Sequence, residues 1–342
     1  MAPYGELTPV NVITGFLGSG KTTLLQRLLR SPELSDVAVL VNEFGEVGLD
    51  HQLLQGVAES TLLLENGCVC CAVRGDLQQA LRNLLSQRTR GEVPHFRRVV
   101  IETSGLADPA PIAYTLIAEA VLRHHFRLSG IITTIDAVNG VDQLGTFTEA
   151  VKQVSMADRL IVTKTDLADE PSISVLRARL RTLNAAANIV DSAEIRNDVH
   201  RVLTDDIYDL EGRSREARHW IAEEVADGQT HDHTAGVESF AAIFERPLDW
   251  TAFGVWASML LHRHGADVLR LKGLLNVVGV PTPVLINAVQ HIVHPPSHLR
   301  EWPDADRRSR LIFIVRGLRR ARIERSLAVF NDLINAKAAL PA

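Results

Sequence analysis

Cysteine is almost absent from this chain, and its three copies, Cys68, Cys70 and Cys71, fall inside one short stretch, ENGCVCCAVRGDL. An odd count disfavours complete pairing, so a disulfide framework is not expected to hold 342 residues together. Long apolar runs are missing too. No stretch approaches the ~20 residues that a membrane-spanning helix needs. The opening residues, MAPYGELTPV, lack a basic start followed by an apolar segment, so no secretory signal is expected. The expected compartment is the cytoplasm, whose reducing conditions again disfavour a structural disulfide. There is no basic excess: the net charge of −5 gives no electrostatic reason to expect a nucleic-acid partner, and nothing points to a membrane. Internal repeats and low-complexity tracts are absent as well. What remains is an ordinary composition, 46% hydrophobic and 23% charged, able to bury a core and long enough to favour two domains.

The first half alternates short β-branched runs with amphipathic stretches. The runs are VNVIT (10–14), VAVLVN (37–42), TLLLEN (61–66), RVVIET (98–103), GIITTID (130–136), RLIVTKTD (159–166) and NIVDS (188–192). Several are apolar on both faces, as strands of a helix-covered parallel sheet are. KTTLLQRLLR and GDLQQALRNLLSQ are helix candidates between them. Strand and helix in alternation predict a doubly wound α/β domain over residues 1–195. Residues 196–236 are charged and weakly periodic, a connector. From 237 to 336 the order changes to strand (ESFAAIFERP), helix (DWTAFGVWASMLLHRHG), three strands and a closing helix. That order predicts a smaller α+β domain with a largely antiparallel sheet.

Residues 15–22, GFLGSGKT, fit G-x-x-x-x-G-K-[ST] between an expected strand and an expected helix. Gly15, Gly18, Ser19 and Gly20 let backbone N–H groups curl around phosphates at a helix N-terminus that favours anions. Lys21 is placed to reach the β- and γ-phosphates. Thr22 is placed to offer a hydroxyl to Mg²⁺, with Thr23 beside it. In RRVVIETSGLADP, Glu102 ends an apolar strand where a carboxylate serves the Mg²⁺ shell or the attacking water. Gly105 can offer an unobstructed N–H to the γ-phosphate. In LIVTKTDLAD, Asp166 is placed at a strand end to accept from the guanine N1–H and N2 amino group. Lys164 would lay its stem over the ring, and Thr163 stands where Asn is usual. Adenine lacks that donor pair and would leave a buried acceptor unpaired. Ser192 and Ala193 are candidates for a backbone contact to the guanine oxygen.

In this order, GFLGSGKTT, NEFGEVGLD, ENGCVCC, ETSGLADP and TKTDL resemble the CobW-type family of metal-associated P-loop GTPases, especially its zinc-binding GTPases and zinc chaperones. LRLKGLLNV and RSRLIFIVRGL resemble the family's carboxy-terminal domain, and the likeness spans about residues 8–336. It implies a P-loop GTPase that uses GTP and Mg²⁺ and carries Zn²⁺ to a client protein. It also implies a broad class, shared with signal recognition and nickel-insertion GTPases, in which a homodimer across the nucleotide is a candidate assembly. This P-loop lacks the additional lysine of some such relatives, so catalysis in trans from the loop is not expected.

The same resemblance makes Cys68, Cys70 and Cys71 a metal signature, and thiolates suit Zn²⁺ and similar ions. In an extended segment Cys68 and Cys70 face one side and Cys71 the other, so joint binding requires a turn, which Gly67 can assist. Three thiolates leave a fourth position open, as suits an ion to be handed on. Resemblance adds Glu46 as a carboxylate ligand, while Val41 stands where some relatives carry another acidic residue. Two rivals remain: a cobalt-directed GTPase of cobalamin synthesis or an activator of another metalloenzyme, and a metal-free GTP switch with redox-sensing thiols. His231 and His233, H-D-H in the connector, are expected to be solvated rather than ligands. Of His291, His294 and His298, the first is expected in a strand and the others in a turn. Trp250, Phe253, Trp256 and Met259 have helical spacing and are expected in a core.

Overall fold

The computed structural model describes residues 7–34, 36–41, 62–65, 74–195, 199–204 and 236–338. The chain forms two compact units, Met1–Arg179 with Ala187–Asp209, and Leu180–Ala186 with Leu210–Ala342.

The first unit is built on seven parallel strands: β1 (Thr8–Gly15), β2 (Val37–Val41), β3 (Leu62–Glu65), β4 (Arg98–Glu102), β5 (Phe126–Asp136), β6 (Arg159–Thr163) and β7 (Asn188–Asp191). Their order is β3-β2-β4-β1-β5-β6-β7. Parallel neighbours need a crossover, and helices supply most of them: α1 (Lys21–Leu29), α2 (Arg74–Arg90), α3 (Ala110–Ala118), α4 (Gly140–Thr146), α5 (Thr148–Met156) and α6 (Glu170–Leu183). Each long helix shows why it packs. In α1, Leu24, Leu25, Leu28 and Leu29 share one buried face; in α6, Ile173 and Leu176 of the first unit are likewise buried on one face. Strands β1 and β5 are buried on both sides over most of their length, so β-branched runs replace alternation. Strands β2–β4 lie on one side of β1 and β5–β7 on the other, so the chain reverses direction across β1 between β4 and β5. That reversal opens a crevice at the carboxyl ends of the strands, where doubly wound sheets bind ligands. One further turn of helix, α7 (Arg201–Thr204), is described in the connector.

The second unit is antiparallel. Strands β8 (Val237–Phe244), β9 (Val268–Leu275), β10 (Val284–Val289), β11 (Ile292–Val293) and β13 (Ser309–Arg316) run in the order β11-β10-β9-β13-β8, and β12 (Ser297–His298) pairs with β10. Helices α8 (Trp250–His264) and α9 (Arg320–Ala338) pack on this sheet over Phe240, Phe253, Trp256, Leu271 and Phe313. Asp249 caps α8 by accepting from the Ala252 N–H at 2.8 Å.

Two expectations for this unit are corrected. Phe253 and Trp256 are core residues, but Trp250 and Met259 are 43% and 57% exposed, because their spacing carries them around the helix away from the sheet. The histidine expectation is overturned for two of the three: His291 lies in the turn after β10 and His298 in β12, while His294 lies, as expected, outside the strands, buried in the connection between β11 and β12. The His291 Nδ1 lies 3.0 Å from the carbonyl of Leu261, so a backbone partner in α8 engages that ring nitrogen.

Candidate functional site

The P-loop leaves β1 at Gly15, whose φ of 141° belongs to glycine territory. A Cβ there would come within 2.4 Å of the Thr134 carbonyl. The loop ends at Gly20, which precedes α1 without a side-chain cap, and the first turn of α1 holds no acidic residue. Its N–H groups and positive dipole end are therefore left for an anion. The Lys21 ammonium lies across the loop, donating to the carbonyls of Gly15 at 3.0 Å and Phe16 at 3.1 Å.

Hydroxyls brace this loop from neighbouring strands. Ser19 Oγ is 2.7 Å from Thr134 Oγ1 on β5, and Thr103 Oγ1 donates to Thr14 Oγ1 at 2.9 Å. Thr163 Oγ1 at the end of β6 lies 2.7 Å from the Ser19 carbonyl. Thr163, in the place usual for Asn, thus ties the end of β6 to the P-loop.

Thr22 Oγ1 donates to Glu102 Oε1 at 2.7 Å, with Glu102 only 3% exposed. In the ladder, Ile13 is opposite Glu102 and Glu102 is opposite Val41. Gly105 packs so closely on the P-loop that a Cβ would lie 2.6 Å from Leu17 Cδ2 and 2.8 Å from its nitrogen. One open pocket gathers Gly18, Gly20, Lys21, Thr22, Thr23, Glu102, Gly105 and Lys164, joined by Leu17, Gln26, Val41, Thr103 and Ser104. Gly15 and the fully buried Ser19 shape the loop from behind rather than line it.

The segment LIVTKTD, expected to meet the base, departs from expectation in one respect. The strand stops at Thr163, because Lys164 takes a left-handed φ of 56°, and Asp166 sits on the exposed turn of 3₁₀ helix that follows. Lys164 Nζ donates to Asp136 Oδ2 at 2.8 Å, and Asp136 also accepts from the Val138 N–H and from Asn139. Burial pushes the Asp136 carboxyl up, but hydrogen bonds from Lys164, Asn139 and Val138 outweigh it and hold the group below the usual carboxylate range. Asp136 was not singled out from sequence; an acidic residue closing the apolar run GIITTID is the signal that finds it. Ser192 and Ala193 are corrected as base contacts. The Ser192 N–H donates to the Val162 carbonyl at 2.8 Å and the Ala193 N–H to Asp191 Oδ1 at 2.7 Å, so both donors are engaged.

Cys68, Cys70, Cys71, Glu46, His231 and His233 lie outside the described residues. The Glu46 segment follows β2, which ends at Val41, and the cysteine segment follows β3, which ends at Glu65; these two strand ends are opposite each other at the carboxyl edge of the sheet. Among the described residues no three His, Cys, Asp or Glu side chains gather as a metal site would.

Residues 9–191 match the family described as CobW/HypB/UreG, nucleotide-binding domain, and residues 237–331 match the cobalamin synthesis protein cobW C-terminal domain. The chain is 34% identical over 312 residues to the zinc chaperone YjiA of Escherichia coli, covering 89% of this chain and 93% of that protein. It is 31% identical over 306 residues to zinc-regulated GTPase metalloprotein activator 1 of Schizosaccharomyces pombe, covering 78% of this chain and 72% of that one. A crystal structure of zinc(II)-bound YjiA GTPase from E. coli superposes with a TM-score of 0.68 at 28% identity, covering 95% of this chain and 99% of that chain.

Proposed function

The chain belongs to the CobW/HypB/UreG family of nucleotide-binding proteins, and on that premise we propose that it is a GTP-hydrolysing metallochaperone that binds zinc and passes it to a client metalloprotein in the cytoplasm. Residues 1–195 form the GTPase domain with the cysteine segment, 196–236 the connector and 237–336 the family's carboxy-terminal domain. A homodimer is the candidate assembly.

The loop N–H groups and Lys21 take the phosphates, and Asp166 with Lys164 takes the guanine. Thr22 and Glu102 present a hydroxyl and a carboxylate side by side, an all-oxygen donor set that suits Mg²⁺. When bound, the ion neutralises phosphate charge during transfer of the γ-phosphoryl group to water. Glu102 orients that water, and the Gly105 N–H steadies the γ-phosphate oxygens.

The observation that carries the reading is the register at the carboxyl edge of the sheet. Val41 lies opposite Glu102 on one side and opposite Glu65 on the other. Both stretches that hold the metal ligands of this reading, the Glu46 segment and the Cys68–Cys71 segment, begin within a few residues of the phosphate site along that edge. A loop that senses the γ-phosphate and contributes Glu46 would relax on hydrolysis and loosen the ion for a client. Zinc affinity and nucleotide state must then be linked reciprocally, by roughly 1–3 kcal/mol. A zinc titration with GDP and with a non-hydrolysable GTP analogue measures this. Tighter binding with the analogue, reduced in Glu46→Ala and lost when all three cysteines become Ser, is the expected result. Identical zinc affinity in both nucleotide states would leave hydrolysis without this role.

A further inference from the structure

The segment that follows Glu102 is held from a direction that the motifs do not disclose. Gln153, in the middle of α5, is 1% exposed. Its side-chain amide donates from Nε2 to the carbonyls of Gly105 at 3.2 Å and Ala107 at 3.0 Å. Two carbonyl partners fix which end of the amide faces the loop, since only the NH₂ end can donate. The same helix reaches the loop again through Lys152, 3.4 Å from Asp108 Oδ2. It reaches the P-loop through Phe147, the residue before α5, whose ring stacks on Phe16 at 4.6 Å between centroids.

The other end of the segment is held by β1. The Thr103 N–H donates to the Ile13 carbonyl at 3.0 Å, and the Thr103 hydroxyl donates to Thr14. Between these two anchors runs the peptide joining Ser104 to Gly105, whose Ser104 carbonyl accepts from the Ala107 N–H at 3.2 Å and lies 3.1 Å from the Thr103 hydroxyl oxygen. That peptide carries the Gly105 N–H.

We propose that Gln153 is a positioning residue for γ-phosphate recognition: by holding the carbonyls of Gly105 and Ala107, it aims the Gly105 N–H into the nucleotide pocket. The proposal rests on the reading of Gly105 as a γ-phosphate donor. GDP has no γ-phosphate, so the side chain of Gln153 should matter for GTP and not for GDP. Its main chain has a separate structural duty: the Gln153 carbonyl accepts from Thr133 Oγ1 at 2.9 Å, a bond that side-chain substitution leaves in place.

The test compares the full-length wild type with Gln153→Leu and the isosteric Gln153→Glu, in the presence of Mg²⁺. Binding of GDP and of a non-hydrolysable GTP analogue is measured, with single-turnover hydrolysis and melting temperature alongside. Loss of the donor strands the buried Gly105 carbonyl and the half-buried Ala107 carbonyl, so analogue affinity and the hydrolysis rate should each fall on the order of tenfold. GDP affinity should stay within about twofold, a split that a purely structural role would not produce. In Gln153→Glu the deficit relative to wild type should shrink as pH is lowered, because a protonated carboxyl regains one donor. An unchanged ratio of analogue to GDP affinity, equal losses for both nucleotides, or a deficit in Gln153→Glu that ignores pH would each overturn the proposal. A wild type that neither hydrolyses GTP nor distinguishes it from GDP would instead overturn the proposed function.

Discussion

Around the P-loop of the first unit buried hydroxyls meet one another, whereas between sheet and helices in the second unit four buried rings join an otherwise aliphatic core. Thr14, Ser19, Thr103, Thr134 and Thr163 are all buried, and they bond one another or nearby carbonyls across three strands, the turn after β4 and the loop. In the second unit Phe240 stacks on Phe313, Trp256 meets Phe313 edge-on, and the Trp256 Nε1–H is satisfied by Ser326 at 2.9 Å. A buried hydrogen bond contributes only about 1 kcal/mol net but fixes direction, and it is costly to leave unmade. Ring burial contributes more, at about 25 cal/mol per Å² of apolar surface removed from water, and specifies direction less. The hydroxyl cluster therefore sets where the phosphate-binding N–H groups point. The ring cluster sets how firmly the second unit stays folded. Substitutions in the two clusters should separate accordingly.

The largest effect is expected on stability in the second unit. Phe313→Ala removes a fully buried ring and should destabilise that unit by about 3–5 kcal/mol. GTP turnover per folded molecule should stay near wild type. Denaturant melts read alongside turnover check this, and a loss of turnover with unchanged stability would break the division of labour. Next is Lys21→Ala, which should remove about 3–4 kcal/mol of transition-state stabilisation, the range for a single electrostatic contact at developing charge. Here turnover falls while the unfolding transition of the second unit does not move; wild-type turnover would show that GFLGSGKT is not the working loop.

The smallest effect concerns the rim of the second unit. The Asp306 carboxyl is pulled down from 3.8 to about 2, chiefly by its hydrogen bonds from Arg308. A carboxylate with a depressed folded pKa adds stability above its unfolded value, and that stability fades as pH falls through the folded one. The Asp306 contribution should therefore be complete above pH ~4 and gone below ~2. Because its side chain is 30% exposed, screening should keep it under about 1 kcal/mol. Acid melts of Asp306→Asn against wild type test the window; identical curves from neutral pH to pH ~2 would assign the acid sensitivity elsewhere.

Much of the nucleotide site was legible because its chemistry is written in neighbours along the chain. GFLGSGKT carries its own turn, donors and cation, and its context of strand and helix follows from periodicity alone. Glu102 and Gly105 were legible as the polar end of an apolar run followed by glycine. What escaped has partners far away in sequence. Gln153 sits in a helix with no motif, and its partners are carbonyls 48 and 46 positions earlier. Asp136 closes a strand as many structural aspartates do, and only its contact with Lys164, 28 positions on, marks it as part of the site. The misreading of Ser192 and Ala193 has the same origin: sequence shows that a backbone N–H exists, not that Val162 and Asp191 have already engaged it.

Taken by itself, then, the sequence determined the alternation of strand and helix, the phosphate loop, the Lys-x-Asp step and the gathering of every cysteine into one segment. Each of these is local, set by backbone freedom, side-chain period and residue chemistry within a few positions. The tertiary structure alone decided that β4 runs beside β1, which brings Glu102 to Thr22 across 80 positions, and that β6 ends where Thr163 meets Ser19 across 144. Strand order depends on which buried faces pack together once crossovers close, and no local pattern records that choice.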